Sequence, residues 1–355
     1  MKIKRIAVDS FNPDPDKISE AAAMIRNGGL VALPTETVYG LAALKDNPAS
    51  LERLYSVKQR PRNKPFTVHL SNKDDVDALV EPMPPYAYRF IERYWPGPLT
   101  IVAFSKSGEK IGLRCPDHLI TQRILKEVGQ PVVIPSANLS GYPPAVDADE
   151  IEKSFSSKDI DLIVDAGRTA LASASTVIDL EFNPFKMIRE GAVLNDDLLR
   201  IFITKRILFV CTGNTCRSVA AEYLLKLLIR QRRPDIADFY EIKSVGVCAL
   251  ETNAPSRETV EYLLNEGLDV SFHRSRRLNL NGIRSSDIIL VMEKSHRDHI
   301  LEREPTASER IFMLSKFLDV ASDENIADPI GGSYPAYQES FGFIKEAVTN
   351  LTDWL

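Results

Sequence analysis

Two hydrophobic periods alternate along this chain. Short unbroken apolar runs, bounded by Gly, Pro or polar clusters, take turns with stretches in which apolar side chains recur every three or four positions. The first pattern predicts buried strands and the second amphipathic helices, so the chain reads as α/β. In the first half, 18–27 reads as a helix stopped by Gly28-Gly29. A short buried strand at 30–33 comes next, then a helix at 51–57. Residues 66–70 alternate like a strand, and 101–104 and 132–134 are further apolar strands. In the second half, a strand at 206–210 leads into a helix that starts at Arg217 and runs through Ala220, Tyr223, Leu224, Leu227 and Leu228. Strands are predicted at 242–247 and 286–292, a helix at 255–265 closed by Gly267, and a terminal helix at 341–355. Between the halves, 196–203 reads as a short amphipathic helix. The seam near 196–205 has no Gly/Ser-rich linker.

The segments beyond the strands turn the picture from fold to chemistry. Ligands in α/β proteins sit beyond strand ends, and here those ends are unusually polar. Pro34-Thr35-Glu36-Thr37-Val38-Tyr39-Gly40-Leu41 comes directly after the strand at 30–33. Its Thr hydroxyls and Tyr39 suit either a small polar ligand or turn capping. The segment Lys58-Gln59-Arg60-Pro61-Arg62-Asn63-Lys64-Pro65 crowds cations between prolines, which excludes a regular helix. It suits a solvated loop or a clamp on a polyphosphate. His69 reads as a core histidine or a ligand contact. Arg114 stands at a strand end, and Ser136-Ala137-Asn138, Ser173–Thr176 and Ile188-Arg189 are again polar or charged.

The most chemical stretch is Cys211-Thr212-Gly213-Asn214-Thr215-Cys216-Arg217-Ser218. A strand, a tight loop and a helix N-terminus together make an anion site of inward N–H groups. With a Cys opening the loop and an Arg closing it, the arrangement points to a thiolate nucleophile beneath a phosphate. The helix terminus and the cation are expected to lower the thiol pKa. Arg217 would grip phosphate oxygens in a fork, and Ser218 would donate to the sulfur. Asp328, before Pro329, is placed to act as general acid and then as base toward water. Cys216 is near enough in sequence to Cys211 for a protective disulfide, or it is a small buried residue. Glu293, His296 and His299 lack a further ligand cluster and read as a solvated helix face rather than a metal site. The basic segment 272–278 reads as structural.

Composition bounds these readings. At 355 residues, two domains are the natural expectation. A net charge of −5 gives no global attraction to nucleic acid. No apolar run is long enough to span a bilayer, and the N-terminal segment lacks the apolar region of a signal peptide. Four cysteines without a CxxC pair suit a reducing, cytoplasmic setting.

Taken together, the PTETVYGL segment, Lys58-x-Arg60, Val68-His69, WPGPLT at 95–100, Arg114-x-Pro116, PSANxSG at 135–141 and Ser175-Thr176-Val177 before Arg189 resemble the YrdC-like threonylcarbamoyl-AMP synthase family over about residues 10 to 195. The chain departs from that family's usual pattern after Leu41 and across Tyr142–Val146. The resemblance implies a twisted mixed-sheet domain over 1–200 that makes threonylcarbamoyl-AMP from L-threonine, bicarbonate and ATP. That product would feed tRNA threonylcarbamoyladenosine modification. It implies Thr37, His69, Arg114 and Ser175 around threonine, and Lys58, Arg60, Lys64, Ser136, Asn138 and Arg189 around ATP. ATP is expected as substrate, with magnesium as its candidate companion, and no tightly bound cofactor or resident metal is expected.

The string CTGNTCRS after a strand, with Asp328-Pro329-Ile330-Gly331-Gly332 downstream, resembles the low-molecular-weight phosphotyrosine phosphatase family over about 206 to 355. This implies a parallel-sheet domain over 205–355. Cys211, Arg217, Ser218 and Asp328 would carry the chemistry, and Thr212, Gly213, Asn214, Thr215 and Cys216 would cradle the phosphate of a phosphorylated protein. Thr215 and Ile330 look most like the arginine-directed type. A tyrosine phosphatase or an arsenate reductase are the alternatives for this half, and a non-catalytic RNA-binding module for the first. Val219 stands where that family usually has Pro.

Overall fold

The computed structural model describes residues 2–320 and 324–355. The chain forms two compact units. One runs up to Met83 and adds Phe90–Leu199; the other comprises Pro84–Arg89 and Arg200–Leu355.

Among its described residues the first unit carries ten strands: β1 (Lys4–Ala7), β2 (Val31–Leu33), β3 (Gly40–Leu44), β4 (Val68–His69), β5 (Leu99–Phe104), β6 (Lys110–Arg114), β7 (Val132–Val133), β8 (Leu162–Asp165), β9 (Thr176–Asp179) and β10 (Lys186–Arg189). They form one sheet in the order β1-β8-β2-β3-β7-β4-β6-β5-β9-β10. It is mixed: β1, β2 and β8 pair in parallel, whereas β3–β7, β4–β7 and β5–β6 are antiparallel. The helix Pro15–Arg26 starts with Asp14 accepting from the Asp16 N–H and Pro15 in its first turn. It buries Ile18, Ala21, Ala22 and Ile25 against β2, β3, β8 and the helix Leu119–Val128. The helix Pro48–Lys58 is longer than the expected 51–57 because Asn47 caps its start, and it delivers Lys58 as its last residue. The strand expected at 66–70 is only Val68–His69.

The second unit is a four-stranded parallel sheet of β11 (Lys205–Cys211), β12 (Tyr240–Gly246), β13 (Ile288–Val291) and β14 (Ile311–Met313), in the order β12-β11-β13-β14. Both faces are covered, as an all-parallel sheet requires. Ile207, Phe209 and Cys211 point to one core with the helices Arg217–Arg232 and Tyr334–Trp354. Leu208 and Val210 point to the other, with Ile283 and Ile300. The helix Arg217–Arg232 buries residues around much of its circumference, since it packs on β11, β12 and the terminal helix. That terminal helix begins at Tyr334, earlier than its expected start at 341. No helix among the described residues is long and apolar enough to cross a membrane.

Candidate active sites

In the first unit, strand ends and loops bring the cations together. Arg114 ends β6 and is only 5% exposed. Its Nε donates to the Gly97 carbonyl at 3.2 Å, and one terminal nitrogen donates to Glu36 Oε1 and Thr37 Oγ1, both at 2.8 Å. Glu36 Oε2 accepts from the Asp117 N–H at 3.1 Å. Thr35 donates its hydroxyl proton to the Val38 carbonyl (2.7 Å), so Thr37, 2.8 Å away, donates to Thr35 Oγ1 and accepts from Arg114. Thr37 and Glu36 therefore orient Arg114. Sequence reasoning missed Glu36, although a carboxylate beside apolar β2 and β3 was a signal that it has a buried partner.

His69 lies beside Arg114 and donates from Nδ1 to the Thr67 carbonyl at 3.2 Å. Burial, aided by the Arg114 charge, pushes its imidazole down to about 3, so it is neutral at ordinary pH. Tyr39, a candidate ligand contact from its position, is instead committed to the fold. Its hydroxyl donates to the Gly167 carbonyl at 2.8 Å and accepts the Ala166 N–H at 3.1 Å.

Lys58 is 2% exposed, and its ammonium spans the loop after β7. It donates to the Ser136 carbonyl, to the Asn138 carbonyl at 2.8 Å and to Asn138 Oδ1 at 3.2 Å. Ser136 Oγ donates to the same Oδ1 at 2.6 Å. Burial, with the neighbouring Arg60 charge, lowers this ammonium to about 7. Arg60 donates to the Lys64 and Pro65 carbonyls at 2.9 and 3.1 Å, curling the cationic loop, while Lys64 stays exposed. Arg189 is aimed by a bulge: Met187 pairs with Ile178 and Arg189 with Val177, leaving Ile188 unpaired. Its guanidinium donates to the Ser175 carbonyl at 3.0 and 2.7 Å and to Ser175 Oγ at 3.0 Å. Desolvation, then the charges of Arg114 and Arg60, lower the Arg189 guanidinium. Three cations from β6, β10 and the 58–65 loop thus share one field, a setting made for an anion. Gly191 fits because a Cβ there would meet the Ala174 carbonyl oxygen at 2.3 Å and the Ser175 carbonyl carbon at 2.7 Å.

In the second unit, the loop after β11 wraps the Cys211 sulfur. Ser218 Oγ lies 2.9 Å from it, and the Asn214 N–H donates to it at 3.2 Å. Asn214 adopts the left-handed conformation, φ 54°, and is held on every side. Its Nδ2 donates to Ser218 and Ser244 hydroxyls at 3.0 and 2.8 Å. Its Oδ1 accepts the Arg276 N–H at 2.8 Å and His273 Nε2 at 3.3 Å. The basic segment 272–278 is therefore more than a connector, because it supplies two of these four bonds. Gly246 ends β12 directly under the loop. A Cβ there would meet the Thr212 oxygen at 2.6 Å and the Asn214 nitrogen at 2.8 Å, so only glycine leaves room.

Arg217 is 1% exposed. One terminal nitrogen donates to Glu293 Oε1 at 2.5 Å and to the Ile326 carbonyl at 2.8 Å. The other donates to Asp328 Oδ2 and reaches Thr212 Oγ1 at 3.5 Å. The acid expected over the phosphate therefore pairs with the arginine expected to hold it. The thiol also departs from expectation. Burial pushes Cys211 above its ordinary pKa, against the Ser218 and Asn214 hydrogen bonds and the Arg217 charge that pull it down. The same cation is also paired with Glu293 and Asp328 in the resting site. Cys216 lies buried, 3.4 Å from Ser256 Oγ, and both it and Cys211 are free thiols.

The expected solvated face at Glu293, His296 and His299 is corrected at His296, while Glu293 and His299 stay partly exposed. His296 is 2% exposed, shares the buried side of its helix with Ile300, and places Nε2 3.0 Å from Thr212 Oγ1. The spacing of His296 and Ile300, one helical turn apart, could have revealed this. Among the described residues, no group of three or more His, Cys, Asp or Glu side chains could hold a metal ion.

Comparison with known proteins agrees with this division. The Sua5-YciO-YrdC family model, described as telomere recombination, matches residues 23–191. The model for low molecular weight phosphotyrosine protein phosphatase matches 206–355. A Bacillus subtilis protein named threonylcarbamoyl-AMP synthase is 33% identical over 211 residues, 56% of this chain; the chain spans only 61% of that relative's length. A Geobacillus stearothermophilus protein named protein-arginine-phosphatase is 36% identical over 150 residues, 42% of this chain and 95% of the relative. The crystal structure of P. abyssi Sua5 complexed with L-threonine has a similar fold, with a TM-score of 0.53 at 21% identity, covering 88% of this chain and 99% of that one. The chain therefore belongs to the Sua5-YciO-YrdC family through its first unit and to the low molecular weight phosphotyrosine protein phosphatase family through its second.

Proposed function

We propose that the first unit forms threonylcarbamoyl-AMP from L-threonine, bicarbonate and ATP, and that the second dephosphorylates proteins, phosphoarginine in preference, through a cysteinyl-phosphate. The observation that carries the first reading is the shared field of Arg60, Arg114 and Arg189 beside the Lys58-clamped loop. A carboxylate would take Arg114, already oriented by Glu36 and Thr37, and a triphosphate the other cations. The threonine nitrogen attacks CO2 with loss of its proton, or bicarbonate with loss of water, to give a carbamate. A carbamate oxygen then attacks the α-phosphorus, and pyrophosphate leaves. No protein nucleophile is required, so the site works by positioning and charge stabilisation. Magnesium would travel with the ATP phosphates as part of the substrate. The product would pass to tRNA-modifying enzymes.

For the second unit, the carrying observation is the Cys211 sulfur at the base of a loop with Ser218, Arg217 and Asp328 around it. An arriving phosphoryl group would displace Asp328 from Arg217 and take the thiol proton on one of its oxygens. The sulfur attacks phosphorus and the P–N bond breaks. Asp328, freed from Arg217 and protonated from solvent, gives that proton to the leaving guanidine nitrogen. It then takes a proton from the water that cleaves the S–P bond. Phosphoarginine is favoured by Thr215 in the loop and by Ile330, 63% exposed after Asp328-Pro329, where an aromatic would suit a phenyl ring. The similarity to a relative named protein-arginine-phosphatase supports the same choice. Phosphotyrosine, from the description of the matched family, is the second reading.

Two assays test these readings. Pyrophosphate release that needs threonine, bicarbonate and ATP together, and is lost in Arg114→Met, supports the first; RNA binding without such release overturns it. Hydrolysis of phosphoarginine above phosphotyrosine, weakened by Thr215→Ile and abolished by Cys211→Ser, supports the second. The opposite preference replaces it with a tyrosine phosphatase.

A further inference from the structure

Among the described residues, the His296 side chain has one hydrogen-bond partner, and it lies in the loop that wraps Cys211. Its Nε2 lies 3.0 Å from Thr212 Oγ1, while its Nδ1 is buried without a partner. The charged or titratable groups that face the ring come from three places. Arg217 is on the loop–helix element, Asp328 is on the segment before the terminal helix, and Glu293 and His299 flank His296 on its own helix. Arg217 also reaches Thr212 Oγ1, at 3.5 Å.

The tautomer is set by this arrangement. If Nε2 accepted from Thr212, the Nδ1–H would be a buried donor with no acceptor, the rarer and costlier outcome. If Nε2–H donates, only a lone pair is left unpaired. Thr212 Oγ1 then accepts from His296 and from Arg217 together. The hydroxyl is pinned between them and cannot swing away.

This matters because Arg217 must change partners. In the resting site one of its terminal nitrogens is paired with Asp328. When that nitrogen passes to a phosphate, Glu293, the Ile326 carbonyl and Thr212 are the partners among the described residues that continue to hold the guanidinium. We propose that His296 is a positioning residue of this site, donating from Nε2 to Thr212 Oγ1 and so keeping Arg217 in its phosphate-gripping orientation once Asp328 releases it. Burial lowers the imidazole to about 4, so near neutral pH the ring orients Thr212 without adding a charge. The inference rests on the reading of the loop 211–218 as a phosphate site.

The test uses the full chain with His296→Leu, His296→Gln, Thr212→Val and the Leu/Val double variant. Binding of inorganic phosphate is read by its protection of Cys211 from iodoacetamide, and turnover with p-nitrophenyl phosphate. His296→Leu should weaken phosphate binding about tenfold, the worth of one buried hydrogen bond to a charged network. Thr212→Val should do the same, and the double variant should lose no more than either alone. His296→Gln, whose amide nitrogen can reach the Nε2 position, should recover to within about threefold of wild type. Wild-type phosphate affinity in His296→Leu overturns the proposal, as do additive losses or a His296→Gln as weak as His296→Leu. If His296→Leu does not fold, Thr212→Val against Thr212→Ser makes the same comparison. Phosphate binding without any turnover by the wild type would overturn the phosphatase reading and leave this one standing. A wild type that binds no phosphate overturns both.

Discussion

Replacing Asp328 by Asn should lower turnover sharply and tighten phosphate binding, and the second effect is the informative one. In the resting site Asp328 bonds the outer nitrogen of Arg217, a guanidinium 1% exposed. A phosphate must break that pair before it can use the same nitrogen. A hydrogen bond to a buried charge is worth roughly 1.5–3 kcal/mol. The Asp328 side chain is 32% exposed, so solvent screening brings this toward about 1 kcal/mol. Removing the competitor should therefore tighten phosphate about fivefold, since 1.4 kcal/mol is about tenfold. Loss of the general acid should lower kcat by about 10² or more. Phosphate affinity would be read by protection of Cys211 from alkylation, and kcat by p-nitrophenyl phosphate hydrolysis, in Asp328→Asn and wild type at one ionic strength. Loss of turnover with unchanged or weaker phosphate binding would refute the competition between Asp328 and the anion. Unchanged turnover would remove Asp328 from the chemistry.

Glu293→Gln removes the carboxylate charge paired with buried Arg217 at 2.5 Å and should cost about 2 kcal/mol of stability in the second unit, read as an earlier urea midpoint; an unchanged midpoint refutes it. Lys58 titrates near 7, and deprotonation removes both its charge and one of its three donors. The kcat/KM for ATP should therefore fall as pH rises through about 7, a limb absent from Lys58→Met; the same limb in both proteins would refute it. His69 is held at about 3, below its unfolded value near 6.5, so the unfolded chain binds a proton that the native one does not. Its neutral burial stabilises the first unit above pH 6.5, and that contribution should drain away between about 6.5 and 3. His69→Gln should flatten this acid limb in urea titrations of the first unit, and an unchanged slope counts against it. Gly246→Ala should displace the loop and remove phosphate protection of Cys211, because its Cβ would meet backbone rather than a flexible side chain. Retained protection in a folded Gly246→Ala would show that the loop has slack.

Much of the fold was legible because helix and strand periods are local. The helix at Pro15–Arg26, β2, β11 and the helix starting at Arg217 stand close to where their patterns put them. Capping residues moved the ends, as Asn47 did for the helix Pro48–Lys58. The loop 211–218 was legible for the same reason: its Cys, Arg and Ser are neighbours in the chain. Relations between distant segments were not. Arg60, Arg114 and Arg189 share a field only because β4, β6, β5, β9 and β10 lie in that order and a bulge re-aims Arg189. His296 read as surface because no further ligand cluster accompanied it, yet it is buried on the same side of its helix as Ile300, which packs with strand residues of the sheet. The Cys211 pKa was misjudged because a loop sequence shows the donors around a sulfur but not its burial or the carboxylates that share the Arg217 charge. The sequence by itself thus determined the elements, the strand-end loops and the nucleophile's immediate neighbours. Which side chains meet across the sheet, and how their charges are already spent in the resting site, was decided by long-range packing.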